Sequence, residues 1–281
     1  MATLGFVGLG LMGQGFTYRL IEKGHKVVGF DIDAGKTKAA AAWGVTPANS
    51  AAEVAQAADI VFVCVINTAA VEDAALGPRG LIAAAKRAAK IMVDLSTTEL
   101  EATKRMAKAL EKAGMMFVDA PVSGGPGAAK AGTLAIMAGG PDAAIATIEP
   151  IMRDLGNMTH MGPVGTGQAT KLVNQTIVLT NYCVLAEALR LAQSYGVDAA
   201  KIPEALKNGH AGSNMLGPVF PQMLADDFAP RGFARQVLKD LELLQAAAAA
   251  RHLPMPMASQ ALTLYRLLVA SGKANSTQPR S

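Results

Sequence analysis

The sequence predicts an α/β protein in which a doubly wound parallel sheet is followed by an all-α C-terminal domain. Up to residue 162, short and nearly continuous apolar runs alternate with helical stretches, as in a parallel sheet covered by helices. Strand patterns then stop, and an uninterrupted helix is predicted from Gln168 to about Tyr195. We therefore predict domains at 1–162 and 163–281, joined by this long interdomain helix.

The first predicted element is a strand at 3–8 that leads into a glycine-rich turn and a helix. A second strand at 26–30 follows that helix and ends at an aspartate. The first glycine permits a tight turn, the second admits a pyrophosphate and the third allows close helix packing. This context predicts a Rossmann-type dinucleotide site, although a purely structural turn is the alternative. Its predicted cofactor-binding residues are Gly8, Gly10, Leu11, Met12, Gly13 and Asp31.

The acidic residue at the end of the second strand indicates which dinucleotide to expect. A carboxylate at Asp31 binds the adenosine ribose hydroxyls and repels a 2′-phosphate. No arginine follows directly, because the next residues are Ile32 and Asp33. The expected cofactor is therefore NAD, with NADP less favoured.

Four further apolar runs are predicted strands, at 60–65, 91–95, 116–122 and 133–137. Ligands of such sheets bind beyond the carboxyl ends of the strands. Three loops lie there: Ile66-Asn67, Ser96-Thr97-Thr98 and Ser123-Gly124-Gly125-Pro126-Gly127. The last suits a carboxylate, since a hydroxyl stands beside consecutive glycine N–H groups, unless it is a simple turn. The second is alternatively an N-cap for the next helix.

Lys171, Asn174 and Gln175 lie at spacings i, i+3 and i+4 on one face of the predicted long helix. A buried ammonium is costly unless it is paired or neutral, so a chemical role would explain it. The alternative is a lysine that snorkels from an exposed first turn. Further helices are predicted at 99–113, 142–154, 198–208, 218–224, 233–250 and 257–269, with a frayed end at 271–281.

Composition argues against several other classes of protein. The net charge is +4, and lysines and arginines are dispersed without basic runs, so no nucleic-acid partner is expected. We see no segment of membrane-spanning length and no signal peptide, and expect a cytoplasmic protein without a membrane partner. Cys64 and Cys183 lie in apolar runs and are expected to be reduced core residues. No metal site is expected.

The chain contains five motifs in this order: GFVGLGLMG at 5–13, DLSTT at 94–98, DAPVSGGPGAAKAGTLAIMAGG at 119–140, GQATKLVNQ at 167–175 and KDL at 239–241. In this order and spacing, the motifs resemble those of the β-hydroxyacid dehydrogenases. This family includes 3-hydroxyisobutyrate dehydrogenase and tartronate semialdehyde reductase (2-hydroxy-3-oxopropionate reductase). Asn174-Gln175 and Ala211-Gly212-Ser213 look most like the second branch. The resemblance covers residue 4 to about 270.

The resemblance implies hydride transfer between NAD(H) and a short 3-hydroxy acid or its semialdehyde. Lys171 is implied as the general acid/base, with Asn174 orienting the lysine or the reacting oxygen. The implied carboxylate-binding residues are Ser123, Gly124 and Gly125, with Gln175 a weaker candidate. Thr97 and Lys239 match positions that face the nicotinamide, and Val65 and Ile66 are assigned to the same cofactor site.

The resemblance also implies a homodimer or homotetramer and a small-molecule carboxylate substrate. Two departures stand out: relatives commonly have proline where Ile66 stands, and the tail ANSTQPRS replaces an acidic and aromatic one. Three alternatives remain. An imine reductase generally lacks the lysine and serine-diglycine pair, a 6-phosphogluconate dehydrogenase relative would have a larger helical domain, and a non-catalytic dinucleotide-binding protein has no use for Lys171.

Overall fold

The computed structural model describes residues 3–227 and 232–275, and the chain divides into two compact units. These units are Met1–Lys171 and Leu172–Ser281. The division falls inside a single long helix, whereas the sequence pattern places it just before that helix. The assignment of domains to 1–162 and 163–281 stays a prediction.

The first unit is built on a sheet in which nine strands are described. Its central strands are parallel, and the order is β3-β2-β1-β4-β5-β6-β8-β7, with β9 paired to β8. The order reverses between β1 and β4, which confirms a doubly wound α/β fold. The strands are β1 (Thr3–Val7), β2 (Lys26–Phe30), β3 (Thr46–Pro47), β4 (Ile60–Val63), β5 (Ile91–Asp94), β6 (Met116–Asp119), β7 (Val122–Ser123), β8 (Leu134–Gly139) and β9 (Gly156–Gly162).

The sheet is mostly parallel, as predicted, but its far end contains an antiparallel strand that the sequence did not predict. β8 runs antiparallel to both β6 and β7. The predicted strand at 116–122 is divided, because β6 ends at Asp119 and the chain turns before β7. An apolar run does not encode strand direction, and two-residue strands such as β3 and β7 are too short for a periodic signal.

Helices cover both faces of this sheet, and each face has its own apolar cluster. On one face, the ring centroid of Phe6 lies 5.7 Å from that of Phe16 and 6.2 Å from that of Phe62. Each such buried side chain contributes roughly 1.5–3 kcal/mol. The helices are α1 (Leu11–Glu22), α2 (Ala34–Ala40), α3 (Ala51–Ala57), α4 (Thr68–Leu76), α5 (Leu100–Lys112), α6 (Gly125–Ala131) and α7 (Asp142–Leu155).

The described part of the second unit is helical, as the sequence predicts. Phe220 is buried in one of its apolar clusters and Tyr265 in another. The long helix α8 (Thr166–Ser194) crosses the division between units. It is followed by α9 (Ile202–Leu206), α10 (Leu216–Leu224), α11 (Ala234–Ala249) and α12 (Pro256–Leu268). Most of the predicted frayed tail, residues 276–281, lies outside the described residues.

Helix α8 is also unusual in its length and composition. Among the described residues it is the one helix long and apolar enough to cross a bilayer, with a mean hydropathy of 1.2 over its best 18-residue window. The expectation that no segment reaches this length is therefore wrong. The core helix of a soluble protein passes the same test, so this feature alone is weak evidence for a membrane.

Candidate active site

The turn between β1 and α1 uses its three glycines for different purposes. Gly8 has φ +97°, and a Cβ there would lie 2.2 Å from the carbonyl oxygen of Cys64. A Cβ on Gly13 would lie 1.9 Å from the carbonyl oxygen of Gly8. The fold itself therefore requires both glycines.

Gly10 is different, because the fold does not require a glycine at this position. Its φ of −71° and ψ of −164° suit any residue, and a Cβ there would meet no atom within 4 Å. It is the N-cap of the twelve-residue helix α1 and has no side-chain cap. Open space in front of a helix N-terminus fits the pyrophosphate of a dinucleotide.

Asp31 is buried at the end of β2, and its carboxylate already binds backbone groups. Oδ2 accepts the N–H of Leu9 at 2.7 Å, and Oδ1 accepts the N–H of Asp33 at 2.9 Å. The side chain therefore connects the glycine-rich turn to the start of α2. Lys36 Nζ lies 3.8 Å from Oδ1. This cation was missed in the sequence, where only the residues directly after Asp31 were considered.

A hydrogen bond connects the loops after β4 and β5. The N–H of Val65 donates to Ser96 Oγ at 3.0 Å. Ile66, the next residue, is 50% exposed, so its side chain is accessible at the carboxyl edge of the sheet. The structure thus places the predicted cofactor-binding positions 65 and 66 beside the Ser96–Thr98 loop.

The interpretation of Ser96 and Thr97 as helix N-caps is wrong. Helix α5 begins at Leu100, its N-cap is Glu99, and no side chain caps it. Ser96 and Thr98 are buried, and the side chain of Thr97 between them is partly exposed. Thr97 is therefore the partly accessible residue of this loop, whereas Ser96 and Thr98 on either side are buried.

The segment from Ser123 to Gly125 joins β7 to α6 with two left-handed residues. Gly124 has φ +131° and Gly125 has φ +73°. A Cβ on Gly124 would lie 2.7 Å from Cβ of Ala128, whereas one on Gly125 would meet nothing within 4 Å. The turn therefore leaves room beside Gly125, and Ser123 before it is partly exposed.

Lys171 lies near the start of α8 and is only 7% exposed. Its Nζ donates a hydrogen bond of 2.7 Å to the carbonyl oxygen of Val122. The snorkelling alternative is therefore wrong. The contact brings the lysine nitrogen to the residue that directly precedes Ser123, so two predicted site segments separated by about fifty residues meet.

Two further buried residues, Asp119 and Gln168, hold the start of α8 and were missed as site residues. In the sequence, Asp119 begins the motif DAPVSGG and Gln168 begins the predicted long helix, and neither position predicts a role in the site. The carboxylate of Asp119 accepts the backbone N–H groups of Gly165 at 2.7 Å and Gln168 at 2.8 Å. No local pattern reveals this role, because Asp119 and Gln168 are 49 residues apart in sequence.

In the second unit, four polar side chains form a continuous chain. Asn174 Nδ2 donates to Gln175 Oε1 at 2.8 Å, and Gln175 Nε2 donates to a carboxylate oxygen of Asp240. The other oxygen of Asp240 pairs with Lys239 Nζ at 3.0 Å. Asp240 is 9% exposed, so its carboxylate is buried and paired, although the sequence around it shows only two adjacent charged residues.

The glycine-rich turn, the open helix N-terminus and the helical second unit define a class, the dinucleotide-binding oxidoreductases with a Rossmann sheet and a helical C-terminal part. Two family models agree. Residues 3–165 match the NAD binding domain of 6-phosphogluconate dehydrogenase. Residues 165–279 match the model described as NAD-binding of NADP-dependent 3-hydroxyisobutyrate dehydrogenase.

Full-length relatives agree with both models. The 2-hydroxy-3-oxopropionate reductase of Escherichia coli K12 is 34% identical, over 96% of this chain and 92% of its own length. The 3-hydroxyisobutyrate dehydrogenase of Pseudomonas aeruginosa is also 34% identical, over 95% of this chain and 92% of its own length. A solved Mycobacterium tuberculosis 3-hydroxyisobutyrate dehydrogenase with L-serine has a TM-score of 0.85 at 30% identity, covering 98% of this chain and 96% of that one.

The chain therefore belongs to the 3-hydroxyisobutyrate dehydrogenase family of β-hydroxyacid dehydrogenases. Members are NAD(P)-binding oxidoreductases that act on the CH–OH group of hydroxyacids.

Proposed function

We propose that this protein is an NAD(H)-dependent dehydrogenase of short 3-hydroxy acids, or a reductase of the matching semialdehydes, with Lys171 as general acid/base. The observation that carries the proposal is the buried Lys171 nitrogen, held 2.7 Å from the Val122 carbonyl oxygen beside the serine-diglycine turn. Its named relatives include a 2-hydroxy-3-oxopropionate reductase and a 3-hydroxyisobutyrate dehydrogenase, and tartronate semialdehyde is our first choice of substrate.

Each group in this segment has a distinct role in the proposed reaction. Ser123 Oγ and the N–H groups of Gly124 and Gly125 bind the substrate carboxylate. Lys171 Nζ takes the hydroxyl proton during oxidation and returns it to the carbonyl oxygen during reduction. The bound nicotinamide supplies the site that accepts or donates the hydride.

The direction of the side-chain hydrogen bonds from Asn174 through Gln175 to Asp240 determines how the amide of Asn174 is oriented. The carboxylate of Asp240 is an acceptor, so it requires the NH₂ end of Gln175. Gln175 Oε1 then requires the NH₂ end of Asn174. Asn174 Oδ1 is left to accept a hydrogen bond, which suits a group that orients a lysine amine or a substrate hydroxyl one helical turn away.

NAD is the cofactor we propose, on the strength of Asp31. A 2′-phosphate near this buried carboxylate would meet its negative charge, and the carboxylate is held in place by Leu9 and Asp33. Lys36 works against this preference, because its ammonium lies 3.8 Å from Asp31 Oδ1 and is about half exposed.

An exposed apolar face on α8 supports a homodimer or homotetramer. Val173, Ile177, Val184 and Leu191 follow one side of the helix and are each 47–61% exposed. We expect light scattering to give two or four times the chain mass of 28.9 kDa, and Ile177→Glu to shift the protein towards monomer. A monomeric wild type would contradict this assignment.

The reaction is tested by replacing the proposed acid/base. Lys171→Ala should lower kcat by about 10²- to 10⁴-fold, the usual size of a general acid/base contribution, while NADH binding persists. Lys104→Ala is the matched control, because Lys104 forms an exposed pair with Glu101. The assay uses 3-hydroxyisobutyrate, glycerate, serine and tartronate semialdehyde with both nicotinamide cofactors.

Two outcomes would reject the proposal. One is unchanged turnover in Lys171→Ala. The other is tight NADH binding without turnover of any of these compounds, which would favour a non-catalytic dinucleotide-binding protein.

A further inference from the structure

We propose that Gln168 is a positioning residue for the reaction. Its side chain holds Thr97 at a fixed position relative to Lys171. The inference rests on the proposed acid/base role of Lys171 and adds to it a residue that contacts neither substrate nor cofactor. Gln168 is 1% exposed, in the first turn of α8.

Gln168 brackets Thr97 by binding the backbone on both sides of it. Its Oε1 accepts the N–H of Thr98 at 3.1 Å, and its Nε2 donates to the carbonyl oxygen of Ser96 at 2.8 Å. Both polar ends of the amide are therefore used on one loop. Rotation of the amide would reverse donor and acceptor and lose both bonds.

The backbone of the same helical turn is fixed to the sheet. Asp119 accepts the N–H of Gln168 itself, together with that of Gly165. Gly167 lies so close to the strands that a Cβ would be 2.4 Å from the carbonyl oxygens of Asp119 and Met137. The first turn of α8 therefore has little freedom to shift along the sheet.

Lys171 follows Gln168 by three residues, so a rigid first turn determines where the lysine side chain begins. Thr97 is the loop residue that family resemblance assigns to the nicotinamide end. Gln168 thus connects the loop of the proposed cofactor site to the helix of the proposed acid/base. Misplacement by about 1 Å far from the chemistry can lower a rate about 100-fold.

The first test removes both hydrogen bonds while nearly keeping side-chain volume. Gln168→Met should lower kcat about 10- to 100-fold, with a smaller change in KM. The deuterium isotope effect on kcat, measured with substrate labelled at the carbinol carbon, should rise because hydride transfer becomes more rate-limiting. Gln245→Met is the matched control, since Gln245 accepts a hydrogen bond from Ser259 between α11 and α12.

A double variant tests whether Gln168 acts through Lys171. In single-turnover assays, Gln168→Met should have a smaller effect in the Lys171→Ala background than in the wild type, because one of the two residues that it aligns is gone. Fully multiplicative losses would overturn the inference, as would a Gln168→Met enzyme with wild-type kcat and isotope effect. If Lys171→Ala itself is fully active, the proposed function fails instead, so the two failures are distinguishable.

Gln168→Glu keeps the inference testable if the methionine variant does not fold. A protonated carboxyl offers one acceptor and one donor, as the amide does, whereas a carboxylate would face the Ser96 carbonyl oxygen. Asp94, Asp119 and Lys171 are the ionisable groups around this position, and they are present in the wild type as well. Activity relative to wild type should therefore rise towards low pH, and a ratio independent of pH would overturn the inference.

Discussion

The two glycine-rich turns of the first unit, Gly8–Gly13 and Ser123–Gly127, share a strand–glycine–helix plan but differ in how the site is completed. In the first turn, contacts with neighbouring backbone require Gly8 and Gly13, and the twelve-residue α1 follows. In the second turn, the helix α6 has seven residues, and the lysine beside the turn comes from α8.

The first turn is therefore a local motif, formed by residues that are contiguous in sequence, whereas the second depends on a residue that is distant in sequence. The first turn and its helix are contiguous in sequence, so the open space at Gly10 exists once the strand and helix form. The second turn becomes a candidate site only when Lys171 reaches Val122, 49 residues away in sequence. Cofactor binding is therefore expected to tolerate changes in α8 that abolish catalysis.

The largest expected effect breaks the first turn at Gly13. Gly13→Ala places a methyl group 1.9 Å from the Gly8 carbonyl oxygen and should destabilise the protein by about 1–3 kcal/mol or more. Gly10→Ala has open space and should unfold like the wild type, yet bind NADH more weakly. Thermal unfolding and NADH titration measure the two effects. Equal NADH affinity in Gly10→Ala and wild type would show that no ligand approaches that position.

A smaller effect tests whether Asp31, which binds the backbone of the first turn, determines the choice between NAD and NADP. Asp31→Ala should weaken NAD by about 10- to 100-fold, the scale of a charge-assisted hydrogen bond, and weaken NADP less. Lys36→Ala removes the positive charge beside Asp31. It should reduce the affinity for NADP and leave the affinity for NAD nearly unchanged. Dissociation constants of both cofactors for the three proteins test this. A wild type that prefers NADP would refute the assignment of NAD.

A more gradual effect concerns Asp119, the last residue of β6. Burial raises the pKa of Asp119 to about 7, the N–H groups of Gly165 and Gln168 oppose that shift, and Asp94 adds to it. The folded protein therefore holds this proton more tightly than the unfolded chain does. Stability from this group is fully present below pH 4 and is lost as the pH rises to about 7.

Asp119→Asn cannot titrate, and it isolates this contribution. The stability of the wild type relative to the variant should fall by up to about 1.4 kcal/mol per pH unit between pH 4 and 7. It should then level off. Urea unfolding of both proteins across this range measures the difference. A difference that is flat or grows with pH would contradict the raised pKa.

The sequence predicts the parts of this molecule that depend on local signals. The turn at Gly8–Gly13, the helix that carries Lys171 and the change from sheet to helices all follow from residue spacing. The antiparallel direction of β8 does not, because hydrophobic alternation is the same in both directions. The contact between Gln175 and Asp240, 65 residues apart, depends on how helices pack, which no local pattern encodes.

The same distinction applies to the start of α8. Asp119 and Gln168 are polar residues whose purpose becomes visible only when β6 and the helix lie side by side. Lys171 was recognised because a buried cation is costly in any context. A buried amide carries no comparable signal, so its role required the hydrogen bonds on both sides of Thr97.

The carbonyl oxygen of Val122 has one more consequence for a lysine that exchanges a proton. A carboxylate partner would favour the ammonium and resist its deprotonation, whereas a neutral carbonyl accepts an N–H from the ammonium and from the free amine alike. The nitrogen can therefore keep the same anchor before and after it gives up a proton. The ratio of oxidised to reduced metabolites would then determine which way the enzyme runs.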